Sequence, residues 1–316
     1  MNPKNCLIFG ASGQAGRNLV RKLTEKNYKV TAVTRSIHRK AYILKTQANP
    51  GYMDIVETSI FNENKLNELI KKADVCINLI GILFQKGNVN TFQNIHVNFP
   101  GLLSKICSEN NIRFIHLSAL AVEVAKDSYY AKSKLDGEIL IKKNFKDAVI
   151  LKPSVIYSVD DNFTTNFMTL LNILPIFPMY YNGKTKFTPI HCSDLTDIIL
   201  QIIQKDISSQ SIECVGPEVM TLREIVEKLL KLIRKKRLLL PLPLPLAMLT
   251  SYFFQLFPKP LISVDQLKLL KYDNISTGVN KTNFDLGLPS NLNFEKEVEK
   301  YCYMWRAGGQ FSKKIS

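Results

Sequence analysis

The chain is poor in the features that would assign it quickly. It has no Cys-x-x-Cys pair among six cysteines (Cys6, Cys76, Cys107, Cys192, Cys214, Cys302), so neither a zinc ribbon nor a paired redox motif is written in it. Most of these thiols sit in apolar runs, as buried, reduced cysteines of a cytosol-like compartment do. Its four histidines show no metal-ligand spacing, and no metal site is expected. There are no internal repeats and no low-complexity linkers. The first apolar run begins near residue 5, which leaves no room for a signal or transit peptide and gives the expectation of a cytosolic or pre-processed form. A long membrane-crossing run is also missing. Leu238 to Phe257 carries no charge, but Pro241, Pro243 and Pro245 break its first half. The remaining stretch reaches only about 18 Å, against roughly 30 Å of hydrocarbon.

Acidic residues are scarce. Against 42 Lys and Arg stand 27 Asp and Glu, a formal net charge of +15, which points to an acidic or anionic partner. Lys228, Lys231, Arg234, Lys235, Lys236 and Arg237 fall within ten residues, just ahead of the uncharged stretch. That pairing has two readings: a membrane-surface element, or a solvated basic face followed by a core helix. A nucleic-acid role would need interleaved aromatics or a recognition motif, and neither is present.

What is there is a glycine pattern. Gly10, Gly13 and Gly16 lie in Leu7-Ile-Phe-Gly-Ala-Ser-Gly-Gln-Ala-Gly-Arg17, between an apolar strand and a helical stripe at Leu19, Val20 and Leu23. This is where a dinucleotide pyrophosphate needs bare backbone and a helix N-terminus. Contacts to it are expected from Gly10, Ser12, Gly13, Gln14, Ala15, Gly16 and Arg17. Strands are expected near Cys6–Phe9, Lys29–Thr34, Ile55–Ile60, Val75–Ile80, Arg113–Leu117 and Ala148–Leu151. Helices are expected at Ala15–Lys26, Asn64–Lys72, His96–Glu109 and Tyr130–Lys142. The alternation predicts an α/β fold with a doubly wound parallel sheet. The expected division is a Rossmann domain over 1–210 with an insertion near 158–185, a smaller, mostly helical lobe over 211–306, and a flexible tail over 307–316. Within the lobe the capping box Thr221-Leu-Arg-Glu224 would open an amphipathic helix, and the segment 228–257 would carry its basic and apolar surface.

The second strand lacks the terminal carboxylate that selects NAD. Val30-Thr-Ala-Val-Thr-Arg35 ends on Arg35, a guanidinium suited to a 2′-phosphate, so NADP(H) is expected over NAD(H). Tyr130 and Lys134, four residues apart on one helix face, form a proton-donor pair in which the cation would lower the phenol's pKa, and Ser118 after the fifth strand would hold a substrate carbonyl. A second Tyr-x-x-x-Lys at Tyr180–Lys184 contains Asn182-Gly183 and reads as a turn. Asp194 is expected to cap the following helix, with His191 structural. His96 and His116 are expected to be core residues.

These motifs resemble the extended short-chain dehydrogenase/reductases over the first two thirds of the chain. Asn78-Leu-Ile-Gly-Ile-Leu83, Lys152-Pro-Ser-Val-Ile156 with Asp161 and Phe163, Pro189-Ile-His-Cys-Ser-Asp194, Gly216-Pro-Glu-Val-Met-Thr-Leu-Arg223 and Asp265-Gln-Leu-Lys-Leu-Leu-Lys-Tyr-Asp-Asn274 extend the resemblance over nearly the whole chain. They resemble the nucleotide-binding accessory subunits of respiratory complex I and their bacterial relatives. The resemblance adds Leu79, Ile80, Gly81, Pro153 and Ser154, with Tyr130 and Lys134, as cofactor contacts. It implies a tightly held NADPH without established turnover, complex I subunits and a membrane surface as partners, and a peripheral place at the cytoplasmic face of a bacterial inner membrane or on the mitochondrial matrix side. One departure is Ser59, where extended reductases carry an Asp toward adenine. The alternative reading is a free NADPH-dependent reductase or nucleotide-sugar epimerase-like enzyme using Ser118, Tyr130 and Lys134.

Overall fold

The computed structural model describes residues 4–254 and 263–311. Its centre is an all-parallel sheet of eight strands: β1 (Asn5–Phe9), β2 (Lys29–Thr34), β3 (Met53–Glu57), β4 (Val75–Asn78), β5 (Arg113–Leu117), β6 (Val149–Pro153), β7 (Ser211–Cys214) and β8 (Lys281–Thr282). Their order is β8-β7-β6-β5-β4-β1-β2-β3, with the reversal between β1 and β4 that opens a crevice for a ligand at the strands' carboxyl ends. Alternate residues of each strand face opposite layers. Cys6 and Ile8 join the helices α1 (Gln14–Glu25), α2 (Ile37–Lys45) and α7 (Cys192–Gln204) in one core. Leu7 and Phe9 join α3 (Glu63–Lys71), α4 (Phe99–Glu109) and α5 (Tyr129–Asn144) in the other. Burial on both faces explains why these strands read as continuous apolar runs.

The expected doubly wound fold is present. The third strand runs Met53–Glu57 rather than Ile55–Ile60, and the fourth stops at Asn78, leaving Leu79, Ile80 and Gly81 in the loop. The expected helix at His96 begins with a π turn, Gln93–Asn98, before α4. Strand β7 starts one residue past the boundary drawn at 210 and pairs with β6, and β8 returns to the sheet from deep in the C-terminal segment. The lobe thus grows out of the sheet.

That lobe has its own core. α6 (Thr164–Ile173), from the expected insertion, contributes Met168 and Leu171. α8 (Leu222–Ile233) contributes Ile225, Leu229 and Ile233, and α11 (Phe294–Glu299) contributes Phe294 and Val298. The expected capping box at the start of α8 is present, with Thr221 and Glu224 bonding reciprocally. The other cap expected here is made differently. His191 Nδ1, not Asp194, accepts from the Ser193 N–H at 3.2 Å, while Asp194 reaches Leu292 N at 2.9 Å. Two further helices, α9 (Leu244–Phe254) and α10 (Val264–Leu269), complete the lobe. Residues 255–257 of the expected surface segment, and 312–316 of the expected tail, lie outside the described residues. Among the described residues no helix is long and apolar enough to cross a membrane. All six cysteines are free and buried.

Candidate functional site

Bare backbone shapes the first end of the crevice. Gly10 has φ of +84°, and the Gly13 N–H closes the turn on the Gly10 carbonyl at 3.0 Å. A Cβ at Gly16 would stand 2.2 Å from that carbonyl oxygen and 2.6 Å from Ala11, so only glycine lets α1 lie this close to the turn. A Cβ at Gly10 would stand 3.1 Å from the Leu79 carbonyl carbon and 3.2 Å from Ile80 N. The same turn therefore meets the Leu79–Gly81 loop. No side chain caps α1 and no acid stands in its first turn, which leaves its amide dipoles to an anion. The cradle fits a diphosphate.

Around it the expected contacts divide. The Ser12 carbonyl accepts from Arg17 Nη1 at 3.2 Å, and Ala15 lies half-buried in the first turn. Gln14 donates to Ser158 Oγ at 2.8 Å and Arg17 pairs with Asp160, so both turn toward the 158–160 loop. Arg35, exposed at the end of β2, donates to Asn90 Oδ1 at 2.7 Å. A carboxylate does occur beside it, on the third strand. Glu57 is registered against Thr34 and caps α2 by accepting Ile37 N at 2.7 Å. Ser59 is exposed beyond β3, in an open concavity of about 510 Å³ lined also by Phe61, Asn62, Glu63 and Asn64.

At the other end side chains do the shaping. Lys134, on α5, is buried and donates to the Leu117 carbonyl at 3.1 Å. A Cβ at Gly81 would come within 3.3 Å of its ammonium, so the bare position keeps the space before Lys134 clear. Burial pushes Lys134 down to about 8, with Glu138 opposing. Tyr130 lies one turn earlier, its ring edge-on to His96 at 5.3 Å and to Phe92 at 6.0 Å. Here the sequence expectation is corrected. The phenol is pushed up to about 12, by burial first and the Asp265 charge second, because desolvation outweighs any help from a lysine whose own charge is disfavoured.

Ser118 is likewise committed. Its hydroxyl donates to Glu138, Glu138 pairs with Lys152 at 2.9 Å, and Lys152 also pairs with Glu123. The Lys152 side chain is 3% exposed. With its one proton on Glu138, Ser118 offers a ligand only lone pairs in this arrangement. Glu138 follows Lys134 by one helical turn, and Lys152 interrupts an apolar strand, so both were visible signals that went unassigned as site residues.

His96 is fixed in one neutral form. Ser133 Oγ donates to the Tyr130 carbonyl at 2.8 Å, so His96 Nδ1 donates to Ser133 Oγ at 2.8 Å while Nε2 accepts Ile82 N at 3.1 Å. Burial, then the Lys134 charge, push its pKa down to about 2. His116 is equally buried. It accepts from the Asn78 amide at 3.1 Å, and among the described residues its Nε2 has no partner. Pro153 ends β6, and the Ser154 hydroxyl is spent on Asn274 Oδ1 at 2.7 Å. The decoy pair does form a turn, with Tyr181, Asn182 and Gly183 all at positive φ.

The motif Asp265–Asn274 is a strap between these parts. Asp265 accepts Tyr129 N at 2.7 Å, Tyr130 N at 2.9 Å and Ser128 Oγ at 2.8 Å. Asn274, besides holding Ser154, donates to the Leu120 carbonyl at 3.2 Å. The C-terminal lobe thereby caps the helix that carries Tyr130 and Lys134, a contact between residues 135 apart that spacing alone does not announce.

Comparison with known proteins agrees with the fold. The chain is 25% identical over 284 residues to the NADH-ubiquinone oxidoreductase 40 kDa subunit, mitochondrial, of Neurospora crassa, covering 89% of this chain and 74% of that one. It is 26% identical over 281 residues to NADH dehydrogenase [ubiquinone] 1 alpha subcomplex subunit 9, mitochondrial, of Arabidopsis thaliana, covering 85% and 70%. Among solved structures, dTDP-glucose 4,6-dehydratase from Bacillus anthracis in complex with NAD superposes with a TM-score of 0.70 at 16% identity, covering 96% of each chain. The model of the NAD dependent epimerase/dehydratase family matches residues 6–214, and with its glycine turn, Tyr130 and Lys134 in one crevice the chain belongs to that family.

Proposed function

We propose that the protein is an NADP(H)-holding accessory subunit of an NADH:ubiquinone oxidoreductase, in which the nucleotide mainly stabilises the fold. It would sit peripherally at the membrane face, on the cytoplasmic side in a bacterium or the matrix side in a mitochondrion. The observation that carries this reading is an apolar ridge on the C-terminal lobe. Strand Leu238–Pro241 pairs with Ile176–Met179, setting Leu238 opposite Ile176. Ile176, Leu238 and Leu240 are exposed, as are Leu244, Leu246 and Leu249 along α9. A free enzyme has no need of so many exposed apolar side chains on one strand pair and the helix that follows it, whereas a docked subunit does.

The adjoining cations are fewer than their count in the sequence suggests. Lys228 pairs with Glu218 at 3.3 Å, Lys231 with Glu295 at 3.2 Å, and Arg237 donates to the Leu171 and Asn172 carbonyls. Lys235 and Lys236 remain beside the ridge to meet anionic headgroups or acidic subunits. A nucleotide bound only by the folded chain adds stability by mass action. Arg35 supports the 2′-phosphorylated form. Its replacement by Ala should weaken NADPH about tenfold or more while leaving NADH little changed, as read by fluorescence titration.

The second reading, a soluble reductase or epimerase-like enzyme, is favoured by Tyr130 and Lys134 sharing one face beside Gly81. Membrane fractionation with a pull-down separates the two. A protein that stays soluble, captures no respiratory subunit and oxidises NADPH with small carbonyl compounds is the enzyme. Association that persists unchanged in Tyr130→Phe supports the subunit.

A further inference from the structure

We propose that Asp265 is a positioning residue for the nucleotide site, through which the outer helices of the C-terminal lobe and the nucleotide are thermodynamically linked. This rests on the reading that the crevice holds a nicotinamide dinucleotide. A helix start leaves several N–H groups without intrahelical partners. On α5 the local cap, Ser128, takes only Ala131 N at 3.2 Å. Tyr129 N, Tyr130 N and the Ser128 hydroxyl all depend on the Asp265 carboxylate, which also suits the positive end of the helix dipole. Tyr130 stands in that first turn and Lys134 one turn beyond. Any loosening there moves the two side chains that face the expected nicotinamide ribose.

The strap is built to hold this position. Ser263 and Gln266 form a capping box at the start of α10, and Lys268 lies over the Tyr129 ring at 5.4 Å. At the far end Lys186 N donates to Asp273 Oδ1 at 2.8 Å, and Asn274 bonds the residues just past β5 and β6. On its other side α10 meets α9, where Leu267, Leu244 and Ala247 line a shared cavity of about 200 Å³ with Tyr180 and Tyr181. The path from the exposed ridge to Tyr130 therefore runs through two packed helices and one carboxylate. Linkage is reciprocal: a nucleotide that orders Tyr130 and Lys134 must steady the strap, and a partner that seats α9 must tighten the nucleotide.

The test uses the full chain freed of nucleotide, titrated with NADPH by nicotinamide fluorescence, with amide hydrogen exchange read across 263–274. In the wild type NADPH should slow exchange at 263–274 as well as at 128–131. Asp265→Ala should weaken NADPH about tenfold, and Asp265→Asn, which keeps one of the two capping oxygens, should recover part of that loss. If Asp265→Ala lowers the melting temperature but its folded fraction binds NADPH as tightly as the wild type, Asp265 is only structural and the proposal falls. NADPH binding with no exchange response at 263–274 in the wild type, which needs no variant, overturns the linkage alone. A wild type that accepts neither NADPH nor NADH sinks the cofactor reading and the proposal with it.

Discussion

The two ends of the crevice are made of different materials. At the glycine end the surface is main chain, set by Gly10 and Gly16, and the Arg35 side chain beside it is exposed. At the tyrosine end the surface is side chain, buried, and tied into hydrogen bonds that a ligand would have to join or break. Backbone amides bind an anion without titrating. Buried acids, amines and phenols carry desolvation costs that shift their proton affinities and must be balanced by partners. The first end is suited to holding a nucleotide under many conditions. The second is where chemistry, if any, would be tuned.

The largest effect should come from breaking the balance at the second end. Lys152→Ala strips the shared cation from Glu138 and Glu123, and leaving buried charge unpaired should cost about 3–5 kcal/mol in chemical denaturation. A loss under about 1 kcal/mol would mean that the cluster is not held as ion pairs. Gly16→Ala tests the first end. Forcing a methyl to within 2.2 Å of the Gly10 oxygen should cost about 1–3 kcal/mol by overpacking and weaken nucleotide binding with it.

An effect of similar size to that of Gly16→Ala is expected in the pH dependence. Lys134 in the folded chain titrates near 8 rather than at its usual 10.5. The unfolded chain thus binds more protons in this window, and the contribution of Lys134 to stability rises from about pH 8 toward 10.5. The buried thiols act oppositely, since Cys6, Cys192 and Cys214 are pushed up to about 12. Unfolding then releases their protons, and stability falls above about pH 9. The stability difference between wild type and Lys134→Met cancels the thiols. That difference should grow in favour of the wild type as pH rises from 8 to 10, and a flat difference would mean that Lys134 is not desolvated.

Much of this was legible in the chain. Continuous apolar strands alternating with amphipathic helices specify a parallel sheet covered on both faces, and three glycines between strand and helix specify the turn. Both are local properties of a few residues with a fixed geometry. The π turn before α4, the short third strand and the strands β7 and β8 were not legible. Their lengths and partners are set by neighbouring elements rather than by propensity.

The amino-acid order alone determined the layered architecture, the glycine cradle and the placing of Tyr130, Lys134 and Glu138 one helical turn apart, because side-chain periodicity on a strand or helix follows from backbone geometry. Tertiary structure decided everything that depends on burial and distance through space. It turned Ser118 inward to Glu138 and raised the Tyr130 phenol instead of lowering it. It paired two of the six cations of an apparent basic cluster with Glu218 and Glu295 and tied a third, Arg237, to carbonyls, and it brought Asp265 to the start of a helix 135 residues away. Proton affinity and charge pairing depend on which groups meet out of water, and only the folded chain settles which groups meet.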